Sequence, residues 1–483
     1  HIDEYSSMVI ASCNEIGQFS QYEDGEIYSG KELKETMFWE NASVENTLGD
    51  IFRLHHDSGD AAHTCLYFSL LRFWFTGVQT GSLERIVLQG CLLNLLFFLF
   101  SFLLMYNLVI RFFTNRCLVA FALLVAFLNV GSVSNTLFIR PYQLQETLSI
   151  LMGLLFVRYY QWMGTHSQLH TWKQILLLSI ALAFVLLSAY LAVIFVGFLV
   201  IVLLIKAYTE KEMRLFKIIL AASLLSILIA ELLYFSYLSA FMGAAGVRAM
   251  DNMEGGVFLQ NLCASFQAIL RLYNRELFYG AVIILSLLIV INLLWRRKKI
   301  FPITINTINK PLLVLIALSF IWTSLVMVLA PFKTTVRYIV PVFPLIALII
   351  PLLISKLRGE ILILTAIAYT VIYLFVALLP KRVDYLHPNI VKDSVFTQHP
   401  HVPVLIQSGN YWRYGTIVPY FVDEQYYGFV RPEHDIMDYI SCYEKVIILM
   451  EKGDGELEVP ENYTIVEDFN SGPSFRGYYL VRK

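Results

Sequence analysis

Charged residues are scarce in this sequence, and neither sign prevails. They make up 15% of the 483 residues, against 57% hydrophobic residues, and the mean hydropathy is +0.63. A soluble domain cannot bury so much apolar surface, so the composition predicts a protein that uses lipid as its solvent. The formal net charge of -1 gives no broad positive field, which argues against nucleic acid as a partner.

Paired cysteines and the common nucleotide and hydrolase motifs are also absent. The six cysteines are scattered without a CxxC spacing, which argues against a disulfide framework or a zinc site. The sequence has no P-loop, GxSxG, HExxH or Rossmann glycine pattern, so nucleotide-driven pumping and hydrolase chemistry lack support. No internal repeat is visible, which counts mildly against a transporter built from inverted repeats.

Long apolar runs dominate the middle of the chain. A helix needs roughly 20 apolar residues to span a hydrocarbon core of about 30 Å, and packed helices can be shorter. By that measure the sequence predicts ten spans, near 86–110, 117–137, 141–160, 174–187, 188–205, 218–236, 278–295, 311–331, 338–355 and 360–380. The run from 174 to 205 is too long for one untilted span, and we expect it to break at Ser188-Ala189-Tyr190.

The lysines and arginines of alternate loops fix a predicted orientation, because cytoplasmic loops carry the excess of these residues. The cation-rich set comprises Arg111, Arg116, Arg158, Lys173, Lys206, Lys211, Arg214, Lys217, Arg296, Arg297, Lys298, Lys299, Lys310, Lys356 and Arg358. Residues 1–85, the loop 237–277 and the tail 381–483 then share the outer side. The chain begins on a polar segment, and we expect a further span before His1.

These patterns predict an all-α polytopic membrane domain, residues 86–380, flanked by two polar regions. Residues 1–85 form an acidic extracytoplasmic loop, with a capping-box motif at Ser29-Gly30-Lys31-Glu32 and apolar spacing typical of helices on the membrane surface. Residues 381–483 contain short β-rich runs at 403–407, 445–450, 463–467 and 477–482, which indicate a small α/β domain in water.

Charges beside predicted spans are expensive in lipid and therefore mark candidate sites. They gather near the predicted outer ends, as Arg140, Glu146, Glu231, Lys333 and Arg337. Each alone could be a structural ion pair or a side chain that reaches the headgroups. Together, the cations are suited to a lipid phosphate, since arginine presents a planar fork of donors to phosphate oxygens.

Two acidic regions could face those cations. Asp3 and Glu4 at the chain start could supply a general base or ligate a divalent metal, or could simply be solvated. His55, His56, Asp57, Asp60 and His63 form a second polar group, whose spacing matches no strong zinc pattern. The sequence leaves metal dependence open.

Four short motifs carry a family resemblance. In order they are Asp3-Glu4, then Asp60 to Phe68 with His63 and Tyr67, then Arg140-Pro141-Tyr142, then Arg337-Tyr338-Ile339-Val340-Pro341 with Pro344. This layout, over roughly residues 1–380, resembles the large GT-C membrane glycosyltransferases. It is most similar to bacterial relatives of protein O-mannosyltransferases and of the aminoarabinose transferase that modifies lipid A. The family's His-Pro-Pro-Leu-Tyr reads His63-Thr64-Cys65-Leu66-Tyr67 here.

The resemblance implies inverting transfer of a sugar from a polyprenyl-phosphate donor to a hydroxyl of a lipid, glycan or protein. It implies a bacterial plasma membrane and a site facing the periplasm or cell exterior. Asp3, Glu4 and Asp60 would be catalytic, and Arg140, Arg337 and Lys333 would hold the donor phosphate. The supporting residues would be His63, Tyr142, Glu146 and Glu231.

Two other functions remain compatible with the sequence. One is a transporter or flippase for lipid-linked glycans, and the other is a transferase-like scaffold without catalysis. A transporter should carry charge through the depth of its spans. Here the charge gathers near one face, which favours the enzyme.

Overall fold

A computed structural model of the chain describes residues 2–12, 25–37, 43–56, 64–78, 83–163, 171–235, 237–242, 255–280, 310–329, 336–355, 357, 359–377, 394–409, 413–414, 417–453, 457–471 and 474–483. The chain divides into two compact units. We call His1–Leu54, Phe68–Gly90 and Leu386–Lys483 the sheet unit, and His55–Tyr67 and Cys91–Tyr385 the helical unit. The predicted boundaries at 85 and 380 separate residues 1–85 from residues 381–483, whereas the sheet unit contains parts of both regions.

The described helices between residues 83 and 377 that have eight or more residues differ widely in length and composition. They are Leu83–Val109, Arg116–Phe127, Val130–Leu137, Tyr142–Trp162, Thr171–Leu186, Ala192–Thr209, Met213–Leu233, Gly255–Leu272, Lys310–Leu329 and Gly359–Ala377. Among the described residues, four are long and apolar enough to cross a bilayer: Arg85–Val109, Ala192–Thr209, Met213–Leu233 and Lys310–Leu329. Leu95, Leu99 and Phe102 stay exposed on the first of them, as lipid-facing side chains would.

Several predicted spans differ from this picture. The helices Trp172–Leu186, Val340–Ile354 and Leu362–Val376 are apolar but shorter. Most of the predicted span 278–295 lies outside the described residues. Helix Tyr142–Trp162 has 21 residues, but its first turns carry Gln143, Gln145 and Glu146. It packs against helices Thr171–Leu186, Ala192–Thr209 and Lys310–Leu329, and its buried face forms the centre of the helical unit.

The predicted break in the run 174–205 is confirmed, because one helix ends at Leu186 and the next begins at Ala192. A break frees backbone carbonyls that lipid cannot satisfy. Side chains from other elements bind three of them. Thr64 Oγ1 donates to Leu187 O, Gln145 Nε2 donates to Ser188 O at 3.0 Å, and Trp322 Nε1 donates to Leu191 O at 3.0 Å.

The predicted span 117–137 is not one straight helix. Helices Arg116–Phe127 and Val130–Leu137 meet at 64°. Asn129 causes the break, since its Oδ1 accepts the Ser132 backbone N–H at 2.9 Å and its Nδ2 donates to Ala126 O at 2.7 Å. Gly131 has no Cβ, so the second helix can lie close to Val340. A Cβ added at Gly131 would lie 2.6 Å from Val340 Cγ1.

The predicted span 338–355 is also interrupted. Short 3₁₀ turns occupy Val336–Tyr338 and Val340–Val342, and two α-helical pieces follow at Phe343–Ala347 and Ile349–Ile354. Pro341, Pro344 and Pro351 lie at the starts or inside of these pieces. Proline lacks the amide donor that a continuous helix needs, so the segment is apolar but irregular.

The sheet unit contains one six-stranded sheet in the order β1-β3-β2-β4-β6-β5. The strands are β1 (Ile27–Ser29), β2 (Val404–Gln407), β3 (Tyr426–Val430), β4 (Lys445–Glu451), β5 (Tyr463–Ser471) and β6 (Phe475–Arg482). The pairs β2–β3 and β2–β4 are parallel, and the other pairs are antiparallel. The four predicted β runs are confirmed as β2, β4, β5 and β6, and their buried residues, Leu405, Ile448 and Leu480 among them, form the core.

Two strands were not predicted from the sequence, and one of them comes from the N-terminal segment. β1 pairs antiparallel with β3, placing Ile27 opposite Gly428. The chain then turns into helix Gly30–Met37, where the capping box is confirmed. The Ser29 backbone N–H donates to Glu32 Oε2 at 2.8 Å, and the Glu32 backbone N–H donates to Ser29 Oγ at 3.2 Å.

The remaining helices of the first 85 residues are short. They are Ile2–Ser12, Val44–His56 and Cys65–Trp74. Arg72, which is fully buried, binds Asp50 through its Nε at 2.7 Å and so joins the last two helices. Val44, Leu48 and Phe52 recur every four residues and stay exposed. This stripe agrees with the predicted surface helices, whose contact with a membrane stays a prediction.

Candidate functional site

The segment Phe138–Pro141 leads into helix Tyr142–Trp162 and carries the first predicted phosphate ligand. Arg140 is 7% exposed, and its backbone N–H donates to Phe138 O at 2.7 Å. Pro141 precedes the first helical residue, where a missing amide donor costs nothing. The arginine is therefore held in a tight turn at the start of a buried helix.

Aromatic rings bring this turn to the second predicted phosphate ligand. Tyr142 contacts Tyr338 edge to face, with ring centroids 6.4 Å apart and planes at 87°. The guanidinium carbon of Arg337 lies 5.4 Å from the centre of the Tyr338 ring. Phe138 stacks parallel to Tyr142 at 6.2 Å. Thus the Arg140 and Arg337 segments, far apart in sequence, meet through one pair of tyrosines.

Glu146 lies one helical turn beyond Tyr142 and is fully buried. Its Oε2 accepts from Ser132 Oγ at 2.9 Å and from Asn135 Nδ2 at 3.2 Å, and its Oε1 accepts from Gln143 Nε2 at 3.3 Å. We call these four residues the Glu146 cluster. Neutral donors hold the carboxylate, so an ion pair with Arg140 does not explain its position.

Further polar side chains extend from the Glu146 cluster across four helices. Gln143 also donates to Ser101 Oγ at 3.3 Å, and its Oε1 accepts from Thr136 at 3.1 Å. Ser101 in turn bonds Thr147 at 2.8 Å. Asn94 Nδ2 donates to Phe138 O at 2.5 Å, while its Oδ1 accepts from Tyr67 at 3.3 Å.

Sequence reasoning missed these neutral residues because only charged residues were counted within the apolar runs. A usable signal was present. Ser132 and Asn135 are three residues apart, as are Gln143 and Glu146, so each pair lies on one helix face. Amides and hydroxyls aligned this way inside apolar runs predict a buried polar network.

Glu231 has a structural role at another place. It is half-buried, and its Oε2 accepts the Leu238 backbone N–H at 3.0 Å. This bond satisfies a free donor at the start of helix Tyr237–Met242. This contact agrees with the hypothesis that Glu231 is a structural residue rather than a site residue.

The predicted catalytic acids are only partly described. Asp3 and Glu4 lie on helix Ile2–Ser12, where Glu4 is half-buried and the Asp3 side chain is outside the described part. Asp60, His63 and Lys333 also lie outside the described residues. Within the described ranges, no group of three His, Cys, Asp or Glu side chains could hold a metal ion.

The histidines before Asp60 lie at the end of helix Val44–His56. The backbone N–H of Phe235 donates to His55 O at 2.9 Å, and the His56 ring lies 5.1 Å from the Phe235 ring. Burial, and then the neighbouring His56, lowers the pKa of His55. Both effects favour the neutral form of the His55 ring.

No protein-family model, no curated protein and no solved structure matches this chain.

Proposed function

We propose that the chain is a GT-C-type membrane glycosyltransferase with about ten spans that uses a polyprenyl-phosphate sugar as donor. The observation that carries this proposal is the meeting of the Arg140 and Arg337 segments at the Tyr142–Tyr338 contact. Two arginines near one another can bind the oxygens of a single phosphate. The resemblance of the four motifs to GT-C enzymes supports the same assignment.

The reaction needs little acid catalysis, because a phosphate is already a good leaving group. An acceptor hydroxyl oxygen attacks the anomeric carbon from the face opposite the phosphate. The bond from that carbon to the phosphate oxygen breaks, and polyprenyl phosphate departs with the electron pair. Arg140, Arg337 and Lys333 stabilise its negative charge.

A carboxylate takes the proton of the acceptor hydroxyl. Asp3 has this role in the proposal, and Glu4 and Asp60 are the other candidate catalytic acids, because acids of the matching motif lie at the active site in GT-C enzymes. Glu146 is fully enclosed by its own cluster. It supports the site by fixing the turn that carries Arg140 and the helix that carries Tyr142.

The positive-inside pattern supports a site on the extracytoplasmic side. Arg140, Lys333 and Arg337 belong to loops with few cations, whereas Arg158 at the other end of helix Tyr142–Trp162 belongs to the cation-rich set. With a bacterial plasma membrane, the donor would be used on the periplasmic face.

Donor binding by the purified chain tests the phosphate site. A panel of polyprenyl-phosphate sugars should contain a ligand whose affinity Arg337→Ala lowers by about 30-fold or more, the cost of truncating one partner of a buried charge pair. Arg158→Ala is the control, since Arg158 is an exposed arginine near the other end of helix Tyr142–Trp162. Equal affinities for both variants and the wild type would remove Arg337 from the site.

A transporter of lipid-linked glycans is the second candidate, and one observation favours it. Helices Arg116–Phe127 and Val130–Leu137 bend by 64° beside the buried Glu146 cluster, and broken helices with buried polar groups line the sites of many transporters. Reconstituted vesicles separate the two functions. A transferase releases polyprenyl phosphate, whereas a transporter moves the intact donor across the bilayer.

A further inference from the structure

A pocket of about 480 Å³ lies in the helical unit near the C-terminal end of helix Tyr142–Trp162. Its lining residues come from that helix, from the end of helix Ala192–Thr209 and from the start of helix Lys310–Leu329: Tyr160, Val202, Ile205, Lys206, Thr209, Glu210 and Lys310. We call it the basic pocket. Tyr160 is about 27 Å along the helix from Tyr142, at 1.5 Å per residue, so this pocket is separate from the candidate donor site.

The pocket joins two cations to an apolar wall. Lys206 Nζ lies 4.6 Å from the centre of the Tyr160 ring and also pairs with Glu210. Lys310 is exposed at the beginning of its helix. Val202 and Ile205 supply the wall, and Ile205 is 59% exposed. A cationic end beside an exposed apolar surface fits an amphiphile with an anionic head.

The position of the pocket indicates which amphiphile is available. Helices Ala192–Thr209 and Lys310–Leu329 are both long and apolar enough to cross a membrane, and the pocket includes the end of one and the start of the other. Both lysines belong to the loops predicted to be cytoplasmic. In the sequence, Arg296-Arg297-Lys298-Lys299 precedes Lys310, and such basic runs beside a span attract anionic lipids.

We propose that the basic pocket binds an anionic phospholipid of the cytoplasmic leaflet. Lys310 and Lys206 contact the headgroup phosphate, and the first part of an acyl chain lies along Val202 and Ile205. The two lysines exceed the single carboxylate of Glu210, which favours a lipid with net negative charge over a zwitterionic one. This site is independent of the proposed sugar transfer.

Lipid binding to the delipidated full chain in detergent tests the proposal. Phosphatidylglycerol and phosphatidylcholine with the same acyl chains are titrated separately, and bound lipid is counted by native mass spectrometry. We expect phosphatidylglycerol to bind more tightly. The double variant Lys206→Gln/Lys310→Gln should lose about tenfold or more of that affinity, since each lysine near an anionic surface contributes about fivefold.

Two control variants accompany the double variant. Lys217→Gln removes an exposed lysine of the same predicted face that does not line the pocket, so it should bind like the wild type. Lys310→Arg keeps the charge and should also bind, which shows that the site survives substitution. Equal binding of the two lipids, equal loss in Lys217→Gln, or full competition by inorganic phosphate would overturn the proposal.

Discussion

Glu146 illustrates how a carboxyl group can be buried among neutral hydrogen-bond donors. Ser132, Asn135 and Gln143 each donate a hydrogen bond to its side-chain oxygens, and these three bonds offset part of the cost of removing the group from water. The donors come from two helices, Val130–Leu137 and Tyr142–Trp162. The cluster thereby joins the two helices that flank the turn holding Arg140.

Gly30 shows a different constraint at the residue scale, because backbone approaches it closely. A Cβ at this position would lie 2.0 Å from the Val422 carbonyl oxygen. The Gly30 backbone N–H donates to Gln425 O at 2.8 Å, so the glycine cannot move away without losing this bond.

We therefore expect Gly30→Ala to destabilise the sheet by about 1–3 kcal/mol, the usual range for an overpacked site. Hydrogen exchange of the β3 amides in the full chain measures the loss of protection. Gly49→Ala is the control, since nothing lies within 4 Å of its added Cβ and alanine favours a helix. Unchanged β3 protection in Gly30→Ala would contradict the close approach.

At the scale of elements, the break between Leu186 and Ala192 depends on donors from other elements. Gln145 Nε2 binds Ser188 O, and Gln145 is itself buried. Gln145→Leu leaves that carbonyl without this donor and should lower stability by about 1–3 kcal/mol. Apparent Tm in detergent measures the change.

Asn107→Leu is the matched control for that variant. Its amide donates to Leu103 O of the same helix and is exposed, so the effect should be within about 0.5 kcal/mol. Equal Tm values for the two leucine variants would show that the Gln145 bond does not stabilise the break.

The capping box makes helix Gly30–Met37 sensitive to acid. The backbone N–H of Ser29, and then its hydroxyl, lower the pKa of Glu32 below its ordinary 4.5. The folded state thus favours the charged carboxylate. Its contribution is complete above pH 4.5 and is lost as the pH falls through the lower folded pKa.

Amides of this helix should therefore lose protection below pH 4.5, after correction for intrinsic exchange rates. In Glu32→Gln this acid-dependent loss should be smaller, whereas Ser29→Ala should weaken the helix by about 1 kcal/mol at neutral pH. A pH profile of Glu32→Gln identical to that of the wild type would rule out this carboxylate as the cause.

The sequence predicted elements well where one local pattern decided them. β4 and β6 are runs of apolar residues, and Ser29 and Glu32 have capping spacing, so these features followed from neighbours in the chain. β1 has three residues and β3 contains Gly428, so neither has a strong strand pattern. Pairing with strands distant in sequence stabilises both, since β1 pairs with β3 and β3 also pairs with β2. Asn129 likewise breaks the apolar run 117–137, for which hydropathy alone predicts one continuous span.

At the scale of the whole molecule, sidedness is a prediction from loop charges that native cysteines can test. Cys263 and Cys442 lie in regions predicted to be outside, and Cys117 begins a helix on the predicted cytoplasmic side. All three are exposed. In right-side-out vesicles, a membrane-impermeant maleimide should label single-cysteine variants with Cys263 or Cys442, but not one with Cys117.

Labelling of Cys117 before the vesicles are opened would reverse the predicted orientation. Labelling after opening is the control for its reactivity. An outer position of Cys442 would also place the sheet unit's tail on the proposed side of sugar transfer.

The candidate site could be predicted from sequence only as a set of residue types near one face. That the segments carrying Arg140 and Arg337 come together depends on the packing of Tyr142 against Tyr338, which no local pattern encodes. The positions of Asp3, Asp60 and Lys333 in the site rest on the family resemblance. A direct assay of sugar transfer must therefore decide the function.

The most direct measurement follows the products of the purified full chain with labelled polyprenyl-phosphate sugars and candidate acceptors. The proposal predicts equal amounts of free polyprenyl phosphate and glycosylated acceptor, with inverted configuration at the sugar. Asp3→Asn should bind donor normally and lower turnover by about 100-fold or more, the loss typical of a missing general base. Donor that binds tightly yet stays intact in the wild type, or full turnover in Asp3→Asn, would contradict the account.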